Sequence, residues 1–439
     1  MNQTEKKKSG FTFYGMPAYI FIPLAIPLLL AGFIWDSVPV ELVGAVSVIF
    51  TLGIFFGEIG NRLPIWSKYL GGGSTFTLIV VCALKTLGVL PSSWIENSTS
   101  FISEWNWMNL FVATIVVGSL LAIKREMIFK QLALYIPAIL CCILGSSIFG
   151  IAIGFLFGKS PIEVLTSYVF PMLGGGIAVG AVPMSQIYGE ITGTDPTAWL
   201  SSAISIITMG NLIAVILAVA YDILGNKFPS LTSHGVLMKS GNDIEDEDEE
   251  STPFEITPTG VIASFFTVAS LYMTAYIISK FLLPRILGVP IHTFAYLIIL
   301  SAIINAAGLL PEPLKCGCTK LQTVLGGRMG WMMMAGVGMS LIDVENLVGS
   351  LNPETIIIVF FIVLGGSIFA GIFGYFVGFY PIESAMTAGL CMTDMGGAGD
   401  LAILGAANRM SLMAYSSVST RVGAAIMLLL ASVGFTFLA

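Results

Sequence analysis

Two similar stretches decide the fold of this chain: GFLFGKSPIE at residues 154–163 and GYFVGFYPIE at residues 374–383. They begin 220 residues apart in a chain of 439 residues, and each follows a long apolar run. Each also leads into a glycine cluster, LGGGIAVG at residues 173–180 and MGGAGD at residues 395–400. The two halves of the chain are therefore predicted to be structural repeats whose apolar segments are interrupted at matching places.

Composition indicates a membrane protein. Hydrophobic residues make up 56% of the chain and charged residues 10%, with a mean hydropathy of +0.91, whereas soluble domains carry about 25% charged residues. Runs of roughly 20 apolar residues recur, and this is the length that crosses about 30 Å of hydrocarbon. The first run, from Ala18 to Trp35, is long enough to remain as a span rather than to be removed as a signal peptide. In a membrane protein, paired interruptions of this kind favour a transporter.

We predict an all-α polytopic membrane protein with about eleven transmembrane helices and two re-entrant hairpins. The predicted spans cover residues 17–35, 40–59, 73–90, 107–124, 131–157, 196–224, 256–283, 289–309, 323–345, 354–379 and 412–438. The predicted hairpins cover residues 161–192 and 381–408. Irregular backbone at membrane depth is tolerated only where it is buried in protein or lines a wet cavity, so both hairpins are expected to adjoin a binding site.

Positive charge precedes the first span, on Lys6, Lys7 and Lys8, and follows the second and fourth spans, on Arg62, Lys68, Lys124, Arg125 and Lys130. Because lysine and arginine concentrate in cytoplasmic loops, the N-terminus is predicted to be cytoplasmic and the C-terminus external. The hairpin at 161–192 then enters from outside and the hairpin at 381–408 from the cytoplasm, so the repeat is predicted to be inverted. Lys280 and Arg285 are exceptions, because this scheme places them near the external end of the span 256–283. Long side chains of this kind can snorkel to the membrane surface.

The predicted organisation comprises a cytoplasmic tail at 1–16, a peripheral first helix at 17–35, a first repeat at 36–224, an acidic cytoplasmic loop at 225–254 and a second repeat at 255–439. Seven acidic residues lie between Asp243 and Glu250, so the net charge of −7 belongs to this loop. Such a run predicts a solvated segment, with a regulatory or cation-binding role as the alternative. The chain has no basic patch that would indicate a nucleic-acid partner.

Three charged residues in apolar surroundings are candidates for ligand contacts. Arg421 lies in the last span, and its fork matches a carboxylate; a structural pair with Asp400, or a place near the cytoplasmic end, is the alternative. Asp394 and Asp400 correspond to Gly174 and Gly180 in the first repeat, so symmetry does not require them. A buried carboxylate beside free carbonyls suits Na⁺ or holds a proton, while a helix cap or a turn is the alternative.

Other polar residues have mainly structural interpretations. Glu163 and Glu383 follow Pro-Ile in a first helical turn, where a carboxylate favours the positive helix end. Arg409 is a positive-inside residue or a support for the second hairpin. Cys316 and Cys318 could form a metal or redox pair, but no neighbouring cysteine or histidine completes a zinc site.

The glycine clusters themselves predict an anion site. A chain that turns inside the membrane frees N–H groups at the starts of the following half-helices, and such groups attract anions. Glycine lets a ligand approach this backbone because it has no Cβ atom.

Residues 171–188, 381–400, 408–410 and 419–423 resemble the hairpin and last-span motifs of the bacterial 2-hydroxycarboxylate transporters. The similarity covers nearly the whole chain after about residue 15. It implies a homodimer in the bacterial cytoplasmic membrane that transports citrate, malate or a related anion by elevator-type alternating access. Na⁺ is the favoured coupling ion, and proton symport or precursor–product exchange is the alternative. A channel or membrane sensor is the competing class, and neither an enzyme nor an organic cofactor is expected.

The resemblance also implies a set of binding residues. Substrate contacts fall on Gly176, Ile177, Ala178, Met395, Gly396, Gly397, Ala398, Gly399 and Arg421. Ion contacts fall on Met172, Gly175, Met392, Asp394, Asp400 and Thr420. The citrate–sodium branch has Asn and Gly at the places of Ile177 and Ala178, and Arg and Ser at those of Met395 and Ala398. Polar contacts for a third carboxylate are therefore missing, and a smaller dianion such as malate is favoured.

Overall fold

The computed structural model describes residues 12–438 except 71, 124–131, 240–256, 284, 287–288, 291 and 343. Most of the predicted tail at 1–16, the basic residues Lys124, Arg125 and Lys130, and the acidic run from Asp243 to Glu250 lie outside the described residues.

In the first half, the longer helices follow the long apolar runs of the sequence. They are α1 (Ala18–Phe33), α2 (Leu42–Arg62), α3 (Pro64–Tyr69), α4 (Gly72–Thr86), α5 (Ser92–Thr99), α6 (Trp107–Leu121), α7 (Leu132–Leu156), α8 (Pro161–Val164), α9 (Phe170–Met172), α10 (Val182–Thr192) and α11 (Thr197–Lys227). Wider π-helical turns occupy Ser100–Glu104, Leu165–Val169 and Ile177–Ala181. A short antiparallel hairpin of β1 (Thr12–Phe13) and β2 (Met16–Pro17) precedes α1.

The second half follows the same pattern. Its helices are α12 (Pro258–Ile277), α13 (Thr293–Ala307), α14 (Glu312–Gln322), α15 (Gly330–Ser340), α16 (Val344–Gly349), α17 (Pro353–Val377), α18 (Pro381–Ser384), α19 (Gly397–Ala406) and α20 (Met413–Gly434). Its π-helical turns are Ile278–Leu282, Thr323–Arg328 and Ala385–Gly389, and its 3₁₀ turns include Leu390–Met392 and Met410–Leu412. Strands β3 (Arg285–Ile286) and β4 (Val289–Pro290) pair antiparallel before α13.

Equivalent elements recur along the chain. Helices α4 and α13 are each 15 residues long and begin at positions 72 and 293. Helices α7 and α17 are each 25 residues long and begin at positions 132 and 353. The π-helical turns of the two interrupted segments begin at positions 165 and 385. The described elements therefore recur in the same order in both halves.

The pair α7 and α17 packs through equivalent residues. A Cβ atom on Gly145 would lie 2.6 Å from the Cβ atom of Phe369, and one on Gly365 would lie 2.6 Å from that of Phe149. The two phenylalanine rings meet edge-on, with centroids 6.3 Å apart. Contacts move backward along α17 as they move forward along α7, so these two equivalent helices run antiparallel.

The chain forms two compact units, one of Met1–Met108 with Met329–Val344 and one of Asn109–Arg328 with Glu345–Ala439. In the first unit, Gly57 and Gly73 leave room for the ring of Trp331, which brings α15 against α2 and α4. In the same unit, helix α1 contacts α5 through Phe33, whose ring lies edge-on to that of Trp94. The second unit contains both interrupted segments, so the candidate site can be described within it.

Each of the eleven predicted spans coincides with helix. Among the described residues, six helices are long and apolar enough to cross a membrane: Leu42–Arg62, Leu134–Leu156, Thr197–Lys227, Pro258–Leu282, Pro353–Val377 and Met410–Phe437. Shorter apolar helices occupy Ala18–Phe33, Gly72–Thr86, Trp107–Leu121 and Thr293–Ala307. The chain is thus an all-α membrane protein, while the number of spans and the re-entrant course of the interrupted segments stay predictions. Helices α5 and α14 lie between the predicted spans. Both are too short to cross a bilayer, so the pattern of long apolar runs did not predict them.

Candidate functional site

The first interrupted segment, residues 161–192, breaks at consecutive glycines between α9 and the helical stretch that begins at Ile177. Gly175 and Gly176 have φ angles of +79° and +97°, a region that side-chain-bearing residues avoid. The carbonyl of Gly176 accepts hydrogen bonds from the N–H groups of Gly180 (3.0 Å) and Ala181 (3.1 Å). The N–H groups at positions 177–179 therefore have no acceptor within their own helix.

The second interrupted segment, residues 381–408, has the same local structure. Its first half ends at Met392, and helix resumes at Gly397. Gly396, which lies 220 positions after Gly176, has a φ of +79° and caps α19. Its carbonyl accepts from the Asp400 N–H at 3.0 Å, so the N–H groups at positions 397–399 also lack a partner within the helix.

The two breaks meet each other through backbone. A Cβ atom on Gly176 would lie 2.8 Å from the carbonyl carbon of Met395 and 3.1 Å from the nitrogen of Gly396. A Cβ atom on Gly396 would lie 3.2 Å from the carbonyl oxygen of Gly175. Two helix starts with free N–H groups therefore converge, and both favour negative charge. A Cβ atom on Gly397 would meet nothing within 4 Å, so there is room beside this point.

Two buried carboxylates lie in the second break. Asp394 is 0% exposed and Asp400 1% exposed. Asp394 Oδ1 accepts from the Gly396 N–H at 2.7 Å, and the Thr420 hydroxyl donates to Asp400 Oδ2 at 3.1 Å. Within the described part of the chain, the other oxygen of each carboxylate is buried without a hydrogen-bond partner. The turn interpretation thus accounts for one oxygen of Asp394 and leaves the second available to a ligand.

The carboxylates are close enough to share a cation or a proton. One oxygen of each, together with Cys391 Sγ, lies within 4.8 Å of the others. Two carboxylate charges at this separation repel each other strongly once water is removed. The thiol of Cys391 is a soft donor, whereas the oxygens suit a hard cation such as Na⁺.

The equivalent pair in the first repeat has the same close approach without the charges. A Cβ atom on Gly180 would lie 2.8 Å from the Cα atom of Gly174. These positions correspond to Asp400 and Asp394 in the second repeat. The repeat therefore provides two neighbouring positions in both halves, and only the second half carries acidic side chains there.

The remaining predicted ion ligands pack against the helices on either side. Met172 lies against Gly210 of α11, with its Sδ atom 2.7 Å from where a Cβ atom would stand. Met392 lies against Gly423 of α20. Gly175 lies close to Thr420: a Cβ atom on Gly175 would be 2.9 Å from the carbonyl oxygen of Thr420. Thioether sulfur is a poor ligand for a hard cation, so Met172 and Met392 can serve only through their carbonyl oxygens.

Arg421 lies beside the first interrupted segment. It is half-buried and lines a small cleft with Val179 of that segment, Ser119 of α6 and Ile298 of α13. Because successive residues of a helix point about 100° apart, Thr420 reaches Asp400 while Arg421 faces this cleft. The structure thus places Arg421 next to the helix start at positions 177–179, in the same unit as both carboxylates.

Two residues of the site escaped sequence analysis. Asn211 Oδ1 accepts from the Met395 N–H at 3.3 Å, and Asn211 is 1% exposed. A polar amide in the middle of the apolar helix α11 was the signal that could have identified it. No motif in the sequence around Cys391 indicates that its thiol lies beside Asp394 and Asp400.

A buried ionic cluster supports the base of the second interrupted segment. Glu383 is 0% exposed, and its Oε1 accepts from Arg409 Nε at 3.2 Å and from the Thr232 hydroxyl at 2.5 Å. The N–H groups of Ser233 and His234 donate to the same oxygen at 3.1 and 3.0 Å. Thr232 and the backbone of Ser233 and His234, which lie in the described part of the predicted loop, are therefore held against this segment. The acidic run that predicts a solvated segment lies outside the described residues.

Arg409 joins the end of that segment to its start through Glu383 and to α11 through Asp222. Its Nη1 donates to Asp222 Oδ1 at 2.5 Å, and Arg409 itself is 1% exposed. Arg409 is therefore a supporting contact for the segment, which was the second of its two predicted roles. Glu163, the first-repeat counterpart of Glu383, is instead half-exposed and pairs with Lys159 at 2.9 Å.

Comparison with known proteins adds independent information. The model of the 2-hydroxycarboxylate transporter family matches residues 13–433. The citrate/sodium symporter of Salmonella dublin is 37% identical over 439 residues, covering 99% of this chain and 98% of the relative. The Na(+)-malate symporter of Bacillus subtilis (strain 168) is 30% identical, covering 93% and 89%. The citrate transporter CitP of Lactococcus lactis subsp. lactis is 28% identical, covering 97% and 93%.

Proposed function

Because the chain belongs to the 2-hydroxycarboxylate transporter family, we propose that it is a Na⁺-coupled symporter of a small 2-hydroxydicarboxylate such as malate. The family and the relatives are transporters, so the chain is a transporter and not an enzyme. The observation that carries the proposal is the meeting of two helix starts at Gly176 and Gly396 beside two buried carboxylates.

The anionic substrate binds at the converging helix starts. N–H groups at 177–179 and 397–399 donate to its oxygens, and Gly397 leaves room for them. Arg421 clamps one carboxylate from the cleft beside Val179. The apolar side chain of Ile177 is unable to satisfy a third carboxylate, and an unpaired buried charge is expensive. This reasoning favours malate over citrate.

The coupling ion binds at Asp394 and Asp400. A Na⁺ ion between their partnerless oxygens would relieve the repulsion of the two charges, with carbonyl oxygens near Met172, Gly175 and Met392 completing an all-oxygen shell. A proton shared by the carboxylates would relieve the same repulsion. Proton symport is therefore the second candidate.

The transport cycle is alternating access of the elevator type, in a homodimer in the bacterial cytoplasmic membrane. The antiparallel packing of α7 on α17 supports an inverted repeat, with the segments 161–192 and 381–408 entering from opposite faces. The whole candidate site lies in one compact unit, which supports its movement as a body. The N-terminus is cytoplasmic and the C-terminus external.

Uptake by proteoliposomes tests this function. We expect an inward Na⁺ gradient to drive accumulation of labelled malate, and internal malate to accelerate exchange, because only a carrier shows such trans-stimulation. Citrate should compete weakly. Uptake that a pH gradient drives equally well without Na⁺ would replace the Na⁺ assignment with the proton one, and flux without trans-stimulation would indicate a channel.

A further inference from the structure

An apolar groove opens on the second unit where α11 and α17 end beside the second interrupted segment. Leu224 of α11, Ile368 and Ile372 of α17, and Pro381 and Ile382 line it, and its volume is about 350 Å³. Sites that bind small molecules occupy about 300–1,000 Å³, so the groove is large enough for a ligand.

Two of the polar side chains that line the groove are already paired with each other. The Tyr221 hydroxyl and Ser367 Oγ lie 2.9 Å apart and hydrogen-bond to each other. Gly371, which also lines the groove, has no side chain. Most of the other lining residues are apolar, so a hydrocarbon ligand fits the groove best.

The groove opens toward the bilayer. Ile372 is 53% exposed and Phe376 78% exposed, and both belong to Pro353–Val377, one of the helices suited to cross a membrane. Exposed apolar groups on such a helix face lipid chains. The hydrocarbon that fills the groove therefore comes from the membrane.

One end of the groove carries positive charge. Lys239 Nζ lies 4.8 Å from the ring centroid of Tyr375, which lines the groove, and 5.8 Å from that of Tyr380. Lys227 ends α11 three residues after Leu224. Lysine and tyrosine are typical of the membrane–water boundary, so this end lies at the depth of lipid headgroups.

We propose that the groove binds an anionic phospholipid, with one acyl chain along α17 and the headgroup phosphate beside Lys239. A lysine near the surface attracts anionic lipid, which selects this lipid over a zwitterionic one with the same chains. The bound chain would touch Pro381 and Ile382, the first turn of the segment that carries the buried carboxylates. The proposal rests on the groove and its charge and is independent of the transported substrate.

Native mass spectrometry of the purified full chain tests it, with phosphatidylglycerol and phosphatidylcholine of identical chains as probes. We expect the first phosphatidylglycerol to bind about fivefold tighter than phosphatidylcholine. Lys239→Gln, which keeps the backbone hydrogen bond from residue 239 to the Gly378 carbonyl, should abolish this preference. Ile372→Trp, which fills the groove, should weaken both lipids at least threefold.

Matched controls are the exposed Lys320 and the exposed Ile356 of the same helix α17. Lys320→Gln and Ile356→Trp should bind both lipids as the wild type does. Equal wild-type affinity for the two lipids, a preference that survives Lys239→Gln, or binding untouched by Ile372→Trp would overturn the proposal. A dimer that dissociates in Ile372→Trp would assign the groove to a second copy of the chain instead. If Ile372→Trp fails to fold, Leu224→Trp fills the groove from the opposite wall.

Discussion

Arg421 is the residue whose shape matters most for substrate. A guanidinium fork holds a carboxylate through two parallel hydrogen bonds, which an ammonium group is unable to reproduce. In Arg421→Lys we expect the Kd for malate to rise about tenfold or more, since the lost hydrogen bond to a charged group is worth about 1.5–3 kcal/mol. Calorimetry in saturating Na⁺ measures it. Arg62→Lys, at the exposed pair with Glu58, is the control, and near-normal affinity in Arg421→Lys would remove Arg421 from the site.

A substitution at Asp394 can separate the role of this residue in ion binding from its role in the local turn. Asp394→Asn keeps an oxygen that can accept from the Gly396 N–H, so the turn should survive, while the charge available to Na⁺ is lost. We expect the Na⁺ concentration for half-maximal uptake to rise about tenfold or more, because a carboxylate adds Coulomb attraction to the ion, with a smaller effect on maximal malate exchange. Asp195→Asn, at an exposed turn, is the control. An unchanged Na⁺ dependence would contradict the assignment.

The break of the first interrupted segment requires glycine for two separable reasons. Gly176→Ala would combine a strained φ of +97° with a Cβ atom 2.8 Å from the Met395 carbonyl carbon. Gly158→Ala has only the first problem, because Gly158 has a φ of +76° and nothing within 4 Å of its Cβ position. From the backbone alone, Gly158→Ala should lose about 1–2 kcal/mol of stability. Gly176→Ala should lose about 1–3 kcal/mol, because its ψ of −173° places it in a region that is essentially restricted to glycine.

Transport distinguishes the two variants further. Gly176→Ala should also lose most malate uptake because the two breaks can no longer meet, whereas Gly158→Ala should retain uptake. Thermal unfolding and proteoliposome uptake measure the two effects. Equal uptake in both variants would show that the contact between the breaks is dispensable.

The C-terminal part of α10 carries an acid-sensitive contact at Glu190, which lies outside the helices suited to cross a membrane. The His292 ring, with Nε2 3.3 Å from Glu190 Oε1, and then Lys280 hold the pKa of Glu190 below its usual value of 4.5. A lowered pKa means that ionised Glu190 stabilises the fold above about pH 4.5 and that this contribution is lost as the pH falls through the lower, folded value. The Tm advantage of wild type over Glu190→Gln should therefore shrink as the pH is lowered below 4.5.

A second variant isolates the histidine. His292 caps α13 by accepting from the Phe294 N–H through Nδ1, and asparagine is also a good cap. His292→Asn should keep the helix start while reducing the same acid-dependent loss of Tm. A pH dependence identical in wild type, Glu190→Gln and His292→Asn would rule out this contact as its source.

At the scale of the whole molecule, sequence patterns predicted the local structure well and the long-range contacts poorly. The breaks at Gly176 and Gly396 were predictable because glycine clusters interrupt apolar runs at a constant offset. The contact of Asn211 with Met395 joins residues 184 positions apart, and no local periodicity encodes it. Sequence symmetry also gave Glu163 and Glu383 one shared role, although tertiary packing exposes the first and buries the second.

Alternating access predicts that one site reaches both faces of the membrane in turn. Gly397 adjoins open space at the meeting breaks, so Gly397→Cys should react with a membrane-impermeant maleimide. The half-buried Cys141 and Cys316 are replaced by serine to remove background labelling. We expect labelling from either face of the membrane, with malate and Na⁺ together slowing it severalfold because they fill the site.

The control is Gly349→Cys in the same background, because a Cβ atom there also meets nothing within 4 Å and position 349 lies outside both interrupted segments. An exposed position outside the site should label from one face only, without protection by substrate. If Gly397→Cys behaved in the same way, reacting from a single face under every ion and substrate condition, the site would not alternate. A carrier mechanism would then have to be abandoned for one in which the breaks form a fixed entrance.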